Sequence, residues 1–444
     1  MRETENYRLN IAEENDVVDI VKISENFEKL DEELEKKVRG EEEKVRAGKE
    51  SEASGERSVA IGHHASASGW ESIAVGEYAS ASGTYATAIG SGASARNENT
   101  VAIGKSINAT SKNATGIGNI IEITGNYGTA IGWNTKASGG CTNAIGYSAK
   151  ASSWNSNAIG GYTEARGDSA SAIGYNTLAN SGASSAIGFK ARTNGYGSSA
   201  IGYYTTANYQ YETVIGRYNK VESGVENSTG NLLTIGNGTD ESRRSNAFRV
   251  THSGATYAGG AYNTAGADFA EYFEWSDGNE VFEDRVGHFV TLDGDKIRIA
   301  NGKEEYILGV VSGTASVIGN AQEDEWGKKY VYDEWGRLKF EDITIAAKYE
   351  EIDGEEVLVE EERRIRTMMI NPEYNEKKVY IPRSKRPEWD TVGLLGQMLV
   401  KDDGSCKVGG YCKCSDGGIA TNSDSGGYKV MNRKSENIIK IMFR

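Results

Sequence analysis

The sequence predicts a mainly β protein: a short N-terminal helix or coiled coil, a parallel β-roll of 14-residue coils, and a β-rich C-terminal domain. Three observations carry this. An apolar residue followed by Gly recurs at a constant 14-residue step over twelve copies. Charge is concentrated at the two ends of the chain. A short apolar run with 4-3-4 spacing precedes the repeats. The boundaries that follow are 1–57 for the N-terminal segment, 58–236 for the roll, 237–267 for a junction and 268–444 for the C-terminal domain.

The 444 residues carry a net charge of −15. Residues 1–57 hold −7, residues 58–236 hold +1 and residues 237–444 hold −9. No basic surplus exists to meet phosphate, so no nucleic-acid partner is expected. No run of about 18 apolar residues is present, so no membrane insertion by a helix is expected. The opening Met1-Arg2-Glu3-Thr4-Glu5 lacks an apolar signal core, so classical secretion is not expected. Four cysteines do not make a disulfide framework. No cofactor and no metal site are assigned.

Residues 16–46 read as helix, with Asp16 or Ser24 able to cap its start. Ile23, Phe27, Leu30 and Leu34 form a short seam that degrades at Lys37 and Glu41. Two readings stay open: a solvated helix with one core face, or a short trimeric coiled coil. Tyr7-Arg8-Leu9-Asn10-Ile11 through Asn26-Phe27-Glu28-Lys29-Leu30 resembles the N-termini of phage tail fibres from Gram-positive hosts. That likeness implies attachment to a phage tail or baseplate through this end.

The repeat is anchored at Ile61, Val75, Ile89, Ile103, Ile117, Ile131, Ile145, Ile159, Ile173, Ile187, Ile201 and Ile215, each followed by Gly. Ala precedes the anchor except at Gly116 and Val214, and an offset copy ends at Thr234-Ile235-Gly236. Disorder keeps no register, and a repeat this short cannot hold a helix pair. It suits one solenoid coil of two short strands and two turns, stacked about 4.8 Å apart. The expected interior is small, mostly Ala with one Ile or Val per coil. Such a roll buries little apolar area alone, which points to a parallel homo-oligomer.

The pattern in Ala60-Ile61-Gly62-His63-His64-Ala65-Ser66-Ala67-Ser68-Gly69 resembles the YadA-like head repeat of trimeric autotransporter adhesins. The resemblance implies a homotrimer of left-handed parallel β-rolls. Tyr203, Tyr204, Tyr209 and Tyr211 form a local aromatic cluster near the distal end of the roll. Exposed, they would contact a host-surface glycan or protein; the plainer role is packing between chains. His63-His64 reads as a solvated turn, although stacked across three chains the pair could hold an ion.

Beyond Gly236, residues 245–264 read as a strand, a turn at Ser253-Gly254 and Gly-rich chain. Segments 287–292, 307–311, 391–400 and 427–431 read as strands, and 438–444 as a short final one. The charge-dense stretch from about 321 to 386, with Pro372, Pro382 and Pro387 in or beside it, reads as an insertion or exposed hairpins. Asp268-Phe269-Ala270-Glu271-Tyr272-Phe273-Glu274-Trp275, Glu283-Asp284-Arg285-Val286-Gly287, Gly309-Val310-Val311-Ser312-Gly313 and Val392-Gly393-Leu394-Leu395-Gly396 appear in order. With Gly409-Gly410-Tyr411-Cys412, they resemble the self-cleaving intramolecular chaperone domain of phage tail appendages, a glutamic-type peptidase family. The resemblance implies a domain that aligns three chains and then cuts itself off before Asp268, at Ala267–Asp268.

Two carboxylates three residues apart can divide acid and base duties, so Glu271 is the expected general acid/base and Asp268 its partner. Tyr272, Phe273 and Trp275 would raise a carboxyl pKa. Ala267 supplies no hydroxyl, which some relatives place there. Without one the domain is either cut by the carboxylates alone or left as an uncleaved cap. Arg285 and His288 are possible support. The spacing of Cys406, Cys412 and Cys414 fits no standard tetrahedral zinc site.

The function these features predict is a trimeric phage tail fibre or receptor-binding appendage, made in the host cytoplasm and carried on the virion. A bacterial surface adhesin is the alternative, but the ending Ile438-Ile439-Lys440-Ile441-Met442-Phe443-Arg444 supplies no membrane barrel. A tailspike depolymerase is the other. It needs a paired carboxylate site, and no acid recurs at a fixed coil position.

Overall fold

The computed structural model describes residues 2–3, 10–11, 23–31, 44–221, 230–321, 329–352, 355–377 and 379–444. It forms two compact units, Met1–Ala261 and Tyr262–Arg444.

The first unit is the solenoid the period demands. Strands such as Asn143–Tyr147, Asn157–Gly161 and Ser171–Tyr175 pair in parallel, each with its counterpart in the next coil. Ile131, Ile145 and Ile159 are thereby stacked partners. Short strands such as Lys150–Ala151 and Glu164–Ala165 build the second ladder. The offset copy keeps register, since Ile215 pairs with Ile235. The first coil begins at Val45–Ala47, paired with Val59–Ile61, one coil ahead of residue 58. Residues 45–46, read as helix from sequence, are therefore strand.

The interior corrects one expectation. Ala60, Ala74, Ala88, Ala144 and Ala158 are fully buried, as are Ala67, Ala81 and Ala151. The Ile of each copy instead points outward: Ile61, Ile89, Ile117, Ile159, Ile187 and Ile201 are 36–42 % exposed. In a three-residue strand only the central side chain faces in, and its neighbours face out. The space between ladders joined by tight turns is filled mostly by Ala.

Of the two exceptions in the Ala column, Gly116 has a packing reason. At coil positions that elsewhere hold Ala, Ile107, Ile121 and Ile123 are buried. A Cβ on Gly116 would lie 2.8 Å from Ile107 Cγ2 and 3.2 Å from Ile123 Cδ1. Larger side chains in this coil thus require the missing methyl. Val214 lies near the other end of the roll, where Glu212 is also buried. Glu212 accepts bonds from the Asn208 and Tyr209 amides at 2.9 and 3.2 Å and from Thr234 Oγ1 at 2.9 Å.

Turns are fixed by hydroxyls. Ser58, Ser72 and Ser198 each donate to the carbonyl three residues back at 2.6–2.7 Å. Another buried column holds Thr135, Thr163, Thr177 and Thr205, whose hydroxyls have no partner. A buried orphan hydroxyl costs about 1–3 kcal/mol. Thr163→Val, nearly isosteric, is therefore expected to hold or raise the thermal unfolding midpoint of the roll.

The roll's last parallel strand, Asn231–Asn237, is covered by Asn246–Thr251 running antiparallel, which pairs in turn with Thr256–Ala258. This hairpin closes an edge that would otherwise invite further strands. At the N-terminus, residues 23–31 are helical, with Ile23, Phe27 and Leu30 exposed along one stripe. Leu34 and most of the expected 16–46 helix, with Asp16, Lys37 and Glu41, lie outside the described residues. A coiled coil is therefore a matter for proposal.

In the second unit the 13-residue strand Trp389–Lys401 is the hub. It pairs with Asp268–Glu274, Gly309–Val311 and Ile438–Phe443, all antiparallel. Asp268–Glu274 is held on its other side by Ala315–Gly319 in parallel. One core joins Phe289, Val310, Met398, Val400, Ile439 and Ile441; another joins Trp275, Val290, Ile297, Val311 and Val392. The charge-dense stretch forms the expected hairpins, Phe340–Ile345 with Arg363–Met368 and Lys348–Ile352 with Glu355–Glu360.

Candidate functional site

The segment 266–268 enters the second unit between two strands. A Cβ on Gly266 would meet Thr314 O at 2.5 Å and Ser316 N at 2.6 Å, so only glycine passes. Ser316 Oγ donates to the Asp268 carbonyl at 2.9 Å. On the opposite side the Gln397 amide donates to the Ala267 carbonyl oxygen at 3.2 Å. Gly396, at φ +122°, allows this approach: a Cβ there would lie 2.4 Å from that oxygen. The Ala267–Asp268 bond is thus clamped, its carbonyl already on a backbone donor. Ala267 is exposed and Asp268 is 2 % exposed, so the bond sits where water meets the interior.

The Asp268 carboxyl is the anomaly of the unit. Both its oxygens are buried and neither has a hydrogen-bond partner. It lies against Gly393 and Met398: a Cβ on Gly393 would come within 2.8 Å of Asp268 Oδ2 and 2.7 Å of Met398 Cε. A carboxyl without donors in an apolar wall is costly, and such costs are retained mainly where chemistry uses them.

Glu271 is not brought to it. Along Asp268–Glu274, burial alternates so that Asp268, Ala270 and Tyr272 face inward and Phe269 and Glu271 face the other side. Glu271 lies instead beside Gly319, whose added Cβ would be 2.9 Å from Glu271 Cγ. The expectation of one joint carboxylate pair treated three residues as close. On a strand that spacing reverses the face and spans about 10 Å.

Arg285 and His288 serve elsewhere. Arg285 clamps Asp277 through two bonds of 2.9 and 2.7 Å and reaches Glu283 at 2.9 Å. Its guanidinium lies 4.4 Å from the Trp275 ring centroid, and its bonds hold the Asp277 carboxyl below the usual range. His288 Nδ1 bonds the Gly417 carbonyl at 2.8 Å, and Lys401 Nζ donates to Nε2 at 2.8 Å. Burial, joined by the Lys401 charge, holds this imidazole below its ordinary pKa.

Sequence reasoning missed Asp390. It pairs with Phe273 across the strands, on the face that carries Glu271, and accepts Trp275 Nε1–H at 3.0 Å. Burial raises its carboxyl pKa against that bond. The nearest signal was its place in Trp389-Asp390-Thr391, just ahead of the strand residues Val392-Gly393.

The four tyrosines divide. Tyr203 and Tyr204 belong to a ring ladder with Phe189 and Tyr218, at centroid spacings of 4.7–5.6 Å. Tyr211 packs edge-on against Tyr196 in another column, at 6.0 Å. Tyr209 is only 4 % exposed, so it offers no outer surface; its ring fills the space beside Gly230. The thiols of Cys406, Cys412 and Cys414 are buried and free, and burial pushes those of Cys412 and Cys414 up to about 12. They are core residues, inert as thiolates.

Two family models match the chain. Residues 218–437 match the IMC autoproteolytic cleavage domain family. Residues 53–79, 81–106, 124–140, 155–177 and 179–205 match the YadA head domain repeat. The chain is 38 % identical over 160 residues to the pre-neck appendage protein of Bacillus phage B103, covering 36 % of this chain and 16 % of that protein. It is 35 % identical over 178 residues to the phage-related protein YobO of Bacillus subtilis, covering 40 % of this chain and 20 % of YobO. The chain therefore spans about a sixth to a fifth of these relatives. Among solved structures, the C-terminal fragment of bacteriophage phi29 gene product 12 is covered in full at 32 % identity, over 40 % of this chain, with a TM-score of 0.31.

Proposed function

We propose that this chain is a phage tail appendage that trims itself, because its C-terminal part belongs to the IMC autoproteolytic cleavage domain family and its middle is built of YadA head repeats. In this reading three copies align, the rolls form the shaft, and residues 268–444 act as a chaperone cut off before Asp268. The N-terminus attaches to the tail, and the shaft meets a glycan or protein of the host surface. Synthesis occurs in the host cytoplasm and the mature protein resides on the virion.

The observation that carries the cleavage is the partnerless Asp268 carboxyl beside a carbonyl held by the Gln397 amide. A carboxylate oxygen of Asp268 reaches the Ala267 carbonyl carbon by closing a six-membered ring. The new C–O bond replaces the C–N bond, whose electron pair goes to the Asp268 nitrogen, which takes a proton from water. A second water opens the resulting anhydride. The Gln397 N–H stabilises the oxyanion in between. Intact mass after expression tests this: two fragments, 1–267 and 268–444, support it, and a lone full-length species refutes it.

Support for the oligomer comes from the outward Ile column and the stripe Ile23, Phe27, Leu30, apolar surfaces a single chain leaves in water. Sedimentation of the chain at micromolar concentration is expected to give the trimer mass. Ile159→Glu with Ile187→Glu is expected to shift it toward monomer. An unchanged monomeric mass for the parent chain would refute the oligomer.

A further inference from the structure

We propose that Glu50, His63 and His64 form a binding site for a divalent transition-metal ion of the zinc class at the N-terminal end of the roll. The repeat itself assembles the group. Glu50 precedes His64 by one 14-residue coil, and both hold the same left-handed turn position, at φ 57° and 54°. Their side chains therefore leave successive coils at one place. Glu50 Oε2 lies 2.8 Å from His64 Nε2. The rings of His63 and His64 are 4.1 Å apart, crossed at 68°. One ligand atom from each of the three residues falls within 4.8 Å of the others. Glu77, one coil beyond His63, places Oε1 3.9 Å from His63 Nδ1 and adds negative charge beside the group.

The donor set selects the ion. Two imidazole nitrogens with carboxylate oxygens suit zinc, nickel or copper, and not magnesium or calcium, which take oxygen ligands. Bonds of about 2.0–2.2 Å put tetrahedral ligand atoms roughly 3.3 Å apart, inside the spread observed here. Tyr78 stacks on His64 at 4.9 Å and 8°, limiting its rotation. A bound ion would tie the coil of Glu50 to that of the histidines.

The competing cluster Asp402, Asp403 and Cys406 lacks these properties. Asp402 is already engaged by Arg433 at 2.5 Å, and burial pushes the Cys406 thiol up.

The test uses the full chain without an affinity tag, stripped by chelator and titrated with zinc chloride by calorimetry. One saturable site per chain, with a dissociation constant on the order of micromolar or tighter, is expected, together with a rise in the roll's unfolding midpoint. Magnesium chloride should give neither. His63→Ala with His64→Ala, and separately Glu50→Gln, should each weaken zinc binding at least about tenfold while circular dichroism stays unchanged. No saturable binding by the parent chain, or equal binding by the double variant, overturns the proposal. Self-cleavage leaves all three residues in the N-terminal fragment, so this outcome is independent of that activity.

Discussion

Asp268→Asn is expected to leave the chain as one full-length species, whereas Glu271→Gln should still yield the two fragments. The first change keeps the volume between Gly393 and Met398 but removes the oxygen able to attack. Loss of a nucleophile costs about 10³-fold or more in rate, so no fragment should form on the time scale of expression. Glu271 faces away from the bond and lies against Gly319, so its neutralisation should change the rate less than about tenfold. Gly396→Ala supplies a third arm. Its methyl would lie 2.4 Å from the Ala267 oxygen and displace that carbonyl from the Gln397 amide, slowing cleavage with Asp268 intact. The reverse pattern, with Glu271→Gln blocked and Asp268→Asn cut, would make Glu271 the working group.

Much of this was legible in the residues. The 14-residue step dictated which strands pair, because parallel stacking in a solenoid needs only a constant period. The segments read as strands around 289, 309, 392, 430 and 438 are strands. The site was legible as a place and not as a geometry. The motif Asp268–Glu274 marked the strand, but carboxyl proximity was read from sequence distance, and strand alternation sends the two groups to opposite faces. Asp390 was invisible because its burial depends on a partner, Trp275, 115 residues away. The Ile column was assigned inward because it is the most apolar feature of each coil. The space available in the roll decided otherwise, and Ala won. Tyr209 failed the same way: a cluster in sequence became two surface columns and one core ring.

The glycine after each Ile admits the sharpest test of the roll. Gly146 holds φ +131°, and a Cβ on it would lie 2.1 Å from the Gly160 carbonyl oxygen of the next coil. The same contact recurs from Gly48 to Gly216 at 1.9–2.6 Å. The obstacle is backbone that is itself bonded into the ladder, so no side chain can swing aside. Gly146→Ala must therefore strain φ, at about 1–3 kcal/mol, and also push two coils apart. In a stacked array stability is a sum of coil and nearest-neighbour terms, and this change strikes both. A loss of about 3–5 kcal/mol in the roll is expected, read as a lower unfolding midpoint and new protease cleavage between 133 and 161. Gly92→Asn is the control. Its φ of +65° belongs to the turn column where His64, Tyr78, Ser106 and Asn134 sit at 53–55°, and the nearest atom to an added Cβ is 3.9 Å away. That change should alter stability by less than about 0.5 kcal/mol. Equal effects from the two substitutions would mean that coil spacing, and not this glycine column, adapts to the side chain.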